Sequence, residues 1–409
     1  MQKSQEINKI ITESLAECQQ QFNYIDQIAL HNQRKVLAAF QSNNVALRHF
    51  NGTSGYGYDD VGRDTLNRIF ADVFHTEDAL VSPTILSGTH ALTLALFGIL
   101  RPGDVILSIS GQPYDTLTDV INGNGNGSLA DFGVKFHAVE LLDDGSFNLL
   151  EIEKQIKALN PKVLYIQKSR GYSWRSATSV EQIGKVIAFA RQFTNCCVMV
   201  DNCYGEFVET VEPTDVGADL CIGSLIKNLG GGIAPTGGYI VGKKKYVQLV
   251  AYRHTCPSIG AEIGSYEQGY RAFYQGLFLA PHVVAQALKT ATLFCCALNK
   301  LGYEVKPLPN EKFYDIVCSA KFNDQDKLIK FCQSIQYCSP VDSYVTPEPW
   351  DMPGYTNQVI MSAGCFVQGA SIELSCDAPI KPPYIGYLQG GLTLEHGILA
   401  LESVLSKLI

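Results

Sequence analysis

Three short segments of the sequence carry residue types that can act together on one small molecule. Ser87, Gly88 and Thr89 follow a predicted strand and open an apolar helical run, so their amide groups and the positive end of the helix dipole are available to a phosphate. Asp201 ends the apolar run CVMV, and Lys227 is followed by a run of glycines. Taken one by one, the same residues are also explained as a helix cap, the start of a turn and a solvated lysine.

Together, the three segments supply what pyridoxal 5′-phosphate (PLP) requires of a protein. The cofactor needs a phosphate cradle, a carboxylate that keeps the pyridine nitrogen protonated, and an amine that forms a Schiff base. Small residues beside Lys227 leave room for a bulky group, and the apolar run before it predicts that this amine loses its proton easily. Tyr114, in GQPYDTL, is the candidate for stacking on the ring, with packing in the core as the alternative.

The composition is that of a compact, enzyme-sized protein. Of the 409 residues, 46% are hydrophobic and 18% are charged, which excludes disorder for most of the chain. The net charge is −8 and long basic runs are absent, so nucleic acid and anionic membranes are poor partners. The apolar stretch 277–298 is interrupted by Pro281, and we expect no membrane-spanning helix.

Several other kinds of site are not supported by the sequence. It contains no P-loop, H-E-x-x-H or G-x-S-x-G motif. Thirteen cysteines without C-x-x-C spacing predict reduced thiols rather than disulfides or a metal site. Reduced thiols indicate a cytoplasmic protein, and the first residues do not have the apolar segment of a secretory signal.

The spacing of apolar residues predicts an α/β protein with three parts. Residues 1–48 have helical periodicity and predict an N-terminal arm, which must pack on the body or on another subunit. Residues 49–255 alternate β-branched runs with amphipathic segments, which predicts a large domain with a mainly parallel seven-stranded sheet. Its predicted strands are 79–81, 105–109, 134–139, 163–166, 197–200, 220–223 and 239–241.

Residues 256–409 predict linking helices and a small C-terminal α+β domain. A long helix is expected near 280–300 and a final helix from Leu392 onward. The strands predicted for this domain lie near 315–319, 359–362 and 371–375.

With these residues in place, the sequence resembles the fold-type I PLP-dependent enzymes of the cysteine and methionine metabolism group. More closely, it is similar to the methionine gamma-lyase-like, or cystathionine beta-lyase-like, aluminium resistance proteins. The likeness extends over nearly the whole chain. It is carried by the segments GYGYDDVGRDTL, SGTHALTLALFGILRPGD, GQPYDTL, QKSRGYSWR, GGGIAPTGGYI, SPVDSYVTPEPWDMPGY and QGGLT.

The resemblance implies a role for each residue of the site. The turn at residues 87–89 and Ser224 would hold the phosphate, Lys227 would bind the cofactor, Asp201 would contact the ring nitrogen, and Tyr114 would stack on the ring. These roles describe a cofactor site with PLP bound covalently to the chain.

Two departures from the classical pattern are present. The Y-S-R segment with which classical relatives reach the phosphate of the neighbouring subunit is replaced by GYGYDDVGRD, where Tyr56, Tyr58 and Arg63 are the candidates for that contact. Ile226 stands where a threonine usually precedes the lysine. A contact between subunits at the phosphate implies a homodimer or homotetramer with active sites at the interface.

The implied activity is that of a PLP-dependent carbon–sulfur lyase. Such an enzyme would release a thiol, ammonia and a 2-oxo acid by β- or γ-elimination, with Lys227 as the base and Tyr114 as the proton donor to sulfur. Arg170 and Arg175 in SRGYSWR, and Lys381, are candidates for the substrate carboxylate, and each is also explained as a surface cation. An aminotransferase, an aldolase and a non-catalytic protein of the same fold are the alternatives.

Overall fold

The computed structural model describes residues 2–352 and 355–409, and its elements alternate as an α/β protein requires. Met1 of the expected arm, and Pro353 and Gly354 of the segment SPVDSYVTPEPWDMPGY, lie outside the described residues. In chain order the elements are α1 (Gln2–Ser42), α2 (Val61–Val73), β1 (Asp78–Ser82), α3 (Gly88–Ile99), β2 (Val105–Ser108), α4 (Asp115–Asn122), β3 (Lys135–Ala138), α5 (Leu149–Leu159), β4 (Val163–Gln167), α6 (Val180–Ala190), β5 (Cys197–Asp201), β6 (Leu220–Ser224), β7 (Gly238–Gly242), α7 (Lys244–His254), α8 (Arg271–Lys300), β8 (Glu304–Lys306), β9 (Val317–Lys321), α9 (Gln325–Tyr337), β10 (Val359–Ser362), β11 (Ser375–Pro379), β12 (Ile385–Gln389) and α10 (Leu394–Leu408).

The large sheet has the predicted strands. Within the described residues, its order is β1-β7-β6-β5-β4-β2-β3, and β7 is antiparallel to both of its neighbours while the other pairs are parallel. Side chains of β4 alternate between two cores: Tyr165 packs with α3 and α7, whereas Leu164 and Ile166 pack with α5 and α6. A sheet with helices on both faces confirms the predicted fold class.

The second sheet is antiparallel throughout, in the order β10-β11-β12-β9-β8. The strand predicted at 371–375 is wrong, because the strand begins only at Ser375. Ile372 and Leu374 are buried and imitate strand alternation, but the Glu373 carboxylate between them accepts the amides of Phe366 and Val367, at 2.9 Å each, within a turn. The domain boundaries predicted after residues 48 and 255 stay a prediction.

Helix α1 lies along α8 and is tied to the body by polar contacts as well. Asn32 donates to the carbonyl oxygens of Phe207 and Glu209 at 3.2 and 3.0 Å, and Asp26 pairs with Lys289 at 2.7 Å. The arm therefore packs on the body of its own chain.

Helix α8 confirms the long helix expected near 280–300, but it begins earlier, at Arg271, and continues through Pro281. By length and composition alone this helix could cross a membrane, but 72% of its most apolar window is buried inside the protein. Burial on this scale is expected of the central helix of a packed core.

Shortening one buried side chain of α1 tests its packing on the body. Ile25 is 6% exposed and belongs to the same apolar cluster as α8, so Ile25→Ala is expected to lower the free energy of unfolding by about 2–5 kcal/mol. Leu30→Ala, on the same helix at a position 52% exposed, is the control and is expected to change it by less than about 0.5 kcal/mol. Urea denaturation measures both, and equal stabilities would contradict the packing.

Candidate functional site

A cavity of about 530 Å³ lies between the carboxyl ends of the large-sheet strands and the second sheet. In open α/β sheets this end is where ligands bind, because the loops that follow the strands converge there. The cavity brings together most of the residues singled out from the sequence: Ser87, Gly88, Thr89, Tyr114, Asp201, Ser224, Lys227, Arg170 and Lys381.

The turn before α3 has the form of an anion cradle. Ser87 is the N-cap, and its hydroxyl accepts the amide of His90 at 3.1 Å. The amides of Gly88 and Thr89 have no acceptor among the described residues, so two donors remain at the positive end of the helix. A Cβ atom at Gly88 would lie 3.0 Å from Cys203 Sγ and 3.6 Å from Ser224 Cβ, which leaves little room there for any larger residue.

Asp201 ends β5 and is almost completely buried. Its carboxylate accepts the amide of Cys203 at 3.0 Å and the hydroxyl of Tyr165 at 3.3 Å. Burial raises the pKa of Asp201, while Lys227 and these hydrogen bonds act in the opposite direction. A carboxyl group in these surroundings can share a proton with a ring nitrogen.

Lys227 follows β6, and its ammonium lies 4.1 Å from the centre of the Tyr204 ring. Burial acts to lower the pKa of this lysine, but the acidic groups of Cys203, Tyr204 and Asp201 act to raise it and prevail. The expectation of an easily lost proton is therefore wrong for these surroundings, because the sequence did not show how many acidic groups converge on this amine.

Tyr114 is held at the mouth of the phosphate turn. Its hydroxyl lies 3.0 Å from Thr89 Oγ1, and its backbone amide donates to Gln167 Oε1 at 3.0 Å. Burial raises the pKa of the phenol, so the hydroxyl keeps its proton at neutral pH and is available as a donor.

The two arginine candidates for a substrate carboxylate are held by other groups. Arg170 is buried and pairs through two nitrogens with Asp315, at 3.2 and 3.1 Å. Arg175 donates to the carbonyl oxygens of Ser176 and Ser169, and burial lowers its pKa to about 10. The third candidate, Lys381, is exposed and lines the cavity, so its ammonium is the most accessible of the three cations.

The three candidates for a contact between subunits lie apart from the cavity lining of their own chain. Tyr56 and Tyr58 are 70% and 61% exposed, with ring centres 5.6 Å apart. Arg63 is buried, donates to the carbonyl oxygens of Gly57 and Gly264, and pairs with Asp64. The two tyrosines are thus the accessible members of the set.

Sequence reasoning missed two acidic groups near Lys227. Asp377, on β11, lines the cavity, and burial raises its pKa to about 6. Glu206 is buried outside the cavity lining and accepts the Tyr239 hydroxyl at 2.8 Å, and burial raises its pKa to about 8. The sequence around both residues contains no recognisable motif. Only the alternation of side chains along β11, in which Cys376 and Ala378 are buried, indicates the direction of the Asp377 side chain.

Comparisons with known proteins find a family and a relative that match nearly the whole chain. Residues 7–409 match the family model described as methionine gamma-lyase. The protein YnbB of Bacillus subtilis (strain 168) is 49% identical over 391 residues, which are 94% of this chain and 92% of YnbB.

Solved structures of similar sequence have the same architecture. A carbon–sulfur lyase involved in aluminium resistance from Clostridium novyi NT is 50% identical, with a TM-score of 0.95 over 99% of this chain and 96% of that one. A candidate cystathionine beta-lyase involved in aluminium resistance from Clostridium acetobutylicum is 48% identical, with a TM-score of 0.96 over 99% and 96%. The PLP-dependent protein YhfS of Escherichia coli shares the fold at 16% identity, with a TM-score of 0.64 over 94% and 97%.

The buried carboxyl of Glu206 predicts a loss of stability as the pH rises. Its pKa is about 8 in the fold and about 4.5 in the unfolded chain, so between these values the folded chain holds a proton that the unfolded chain has released. Glu206→Gln keeps the acceptor for Tyr239 and cannot ionise, so its free energy of unfolding is expected to rise relative to wild type from pH 5 to pH 8.

Urea denaturation at several pH values measures this difference. Glu181→Gln, at an exposed position of α6, is the matched control and is expected to show a much smaller dependence. A difference between Glu206→Gln and wild type that does not change with pH would contradict the buried, protonated carboxyl.

Proposed function

Because the chain belongs to the methionine gamma-lyase family, we propose that it is a PLP-dependent carbon–sulfur lyase acting on a sulfur-containing amino acid. The family and its structural neighbours support a carbon–sulfur lyase as the class of enzyme. The proposed reaction breaks a carbon–sulfur bond by β- or γ-elimination. With one water consumed, the amino acid gives a thiol or hydrogen sulfide, ammonia and a 2-oxo acid.

One observation carries the proposal: Lys227, Asp201 and the first residues of α3 line the same cavity. The residues present fit PLP: the amides of Gly88 and Thr89 suit its phosphate, Asp201 suits its ring nitrogen, and Lys227 suits its aldehyde. When bound, PLP supplies the electron sink that stabilises negative charge at the substrate Cα.

The remaining steps are assigned to side chains of this chain. Lys227 removes the proton from the substrate Cα once its own amine is neutral. Tyr114 donates a proton to the departing sulfur, a role that suits a phenol whose pKa is raised by burial. Thr89, 3.0 Å from that phenol, orients it.

The alternative PLP reactions differ from this proposal in their products. An aminotransferase needs a second amino acceptor and releases no ammonia, and an aldolase breaks a carbon–carbon bond. A non-catalytic protein of this fold would form none of these products. Ammonia and a 2-oxo acid formed in equal amounts, without an added acceptor, are therefore expected of the lyase alone.

The proposal includes a homodimer or homotetramer with active sites at the interface, in a reducing, cytoplasmic compartment. The exposed tyrosines Tyr56 and Tyr58 support a contact with another subunit. The thirteen cysteines are free, which supports the reducing compartment.

The cofactor and its lysine are tested together by spectroscopy. The purified protein, incubated with PLP, is expected to show an absorbance band that borohydride abolishes, and peptide mapping is expected to find the reduced adduct on Lys227. Lys227→Ala should lose the band and the release of 2-oxo acid, because the amine is the covalent anchor. Lys381→Ala, the other cavity lysine, should keep the adduct, and a wild-type protein without the band would contradict the proposal.

The same Lys381 variant tests how the substrate carboxylate is held. Loss of a charge-assisted hydrogen bond is expected to raise KM by roughly tenfold while kcat changes by less than about threefold. Arg175→Ala is the comparison, because Arg175 is occupied by carbonyl oxygens and its loss is expected to leave KM within about twofold. Steady-state kinetics with one sulfur amino acid measures both, and the reverse order of effects would assign the carboxylate to Arg175.

A further inference from the structure

Asp377 lies on the wall of the cavity that the second sheet provides, opposite the wall that carries Lys227. Strand β11 lies between β10 and β12, and Asp377 pairs with Met361 on β10 and with Tyr387 on β12. Cys376 and Ala378, on either side of it, are buried in the core of the second sheet. Alternation along the strand therefore directs Asp377 into the cavity.

The carboxylate is fixed in position but lacks a counter-ion. Gln389 Nε2 donates to Asp377 Oδ2 at 3.1 Å. Among the described residues, no lysine, arginine or histidine lies within 4.0 Å of it. Arg170 is held by Asp315, and the ammonium of Lys227 lies on the Tyr204 ring.

The surroundings of Asp377 are aromatic. The Tyr172 ring lies 5.2 Å from that of Tyr387 and 6.0 Å from that of Tyr355, and all three residues line the cavity. A carboxylate in such a place is costly unless a cation accompanies it, and aromatic rings stabilise the same cation. A protonated amine satisfies both the carboxylate and the rings, whereas a methyl group or a second carboxylate does not.

We propose that Asp377 is a specificity-determining residue that binds a protonated amine at the end of the sulfur substituent of the substrate. The proposal rests on the proposed lyase function, in which the α-amino group would face the cofactor at Lys227 and Lys381 would bind the α-carboxylate. The part of the substrate left to face Asp377 is then the leaving group. The preferred substrates are sulfur amino acids whose leaving thiol carries an ammonium group.

Two substrates of equal length isolate this contribution. S-(2-aminoethyl)-L-cysteine ends in an ammonium group where S-propyl-L-cysteine ends in a methyl group. For the first, elimination breaks the Cβ–S bond, the sulfur leaves with the electron pair and gains a proton as cysteamine, and one water yields pyruvate and ammonia. The corresponding pair built on homocysteine serves if the enzyme carries out γ-elimination.

Wild-type holoenzyme is expected to have a kcat/KM at least about tenfold higher for the ammonium substrate, the usual effect of one charge-assisted contact. Asp377→Asn keeps the size and the hydrogen-bonding ability of the side chain but removes its charge. We expect the variant to lower kcat/KM for the ammonium substrate to within about twofold of the propyl one, and to leave the propyl value within about twofold of wild type.

A second readout does not depend on turnover. Holoenzyme reduced with borohydride cannot react, and titration calorimetry with the same two amino acids is expected to give tighter binding of the ammonium compound in wild type and equal binding in Asp377→Asn. The absorbance band of the cofactor and the circular dichroism spectrum show whether the variant is folded.

The outcomes separate the two proposals. If neither the cysteine nor the homocysteine pair gives a 2-oxo acid, the lyase proposal fails. If both members of a pair react but wild type shows no preference, or if Asp377→Asn retains the preference, the assignment of Asp377 is overturned while the lyase proposal stands.

Discussion

The cavity depends on the buried ion pair between Arg170 and Asp315. Arg170 follows β4 of the large sheet and Asp315 precedes β9 of the second sheet, so the pair joins the two walls. Lys168 reinforces the joint, because it donates to the carbonyl oxygen of Tyr314 at 2.6 Å and pairs with Glu209 at 3.0 Å. Removing one partner of such a pair leaves a charge buried alone, which is strongly destabilising. Arg170 and Lys168 therefore connect the two walls of the cavity, which carry Lys227 and Asp377.

Burial and acidic neighbours together control the protons inside this cavity. Burial raises the pKa values of Asp201 and Tyr114, and the acidic groups around Lys227 raise its pKa against the effect of burial. These groups affect one another because they face each other in a space with little water. The direction of the pKa shift of Lys227 thus depends on the groups that face it as well as on its burial.

The sequence was a good guide to the large sheet and a weaker one to the second. The four strands β4 to β7 of the large sheet are mostly apolar runs buried on both faces, and such runs stand out between amphipathic helices. Strand β8 has three residues, and β12 begins and ends with polar or half-buried positions, so neither produces a clear pattern. The turn at Glu373 is fixed by hydrogen bonds to distant amides, which no local pattern records.

The same difference holds for the candidate site. Thr89, Tyr114, Asp201 and Lys227 were found because each lies at the end of a strand or the start of a helix, where the local letters indicate a turn. Asp377 and the pairing of Arg170 with Asp315 were missed, because they depend on how the second sheet is placed against the first. Lys227 was located correctly, but the direction of its pKa shift depended on neighbours that the chain brings together only on folding.

Burial also gives Cys203 and two other buried cysteines a chemical property that bears on the proposed products. Burial raises the pKa of Cys203, which lines the cavity, and likewise those of Cys197 and Cys221. Thiol–disulfide exchange proceeds through the thiolate, so these side chains are poor nucleophiles at neutral pH. Where an oxidant converts a released thiol into a disulfide, the protonated Cys203 thiol therefore attacks that disulfide slowly, and mixed disulfides form slowly at this position.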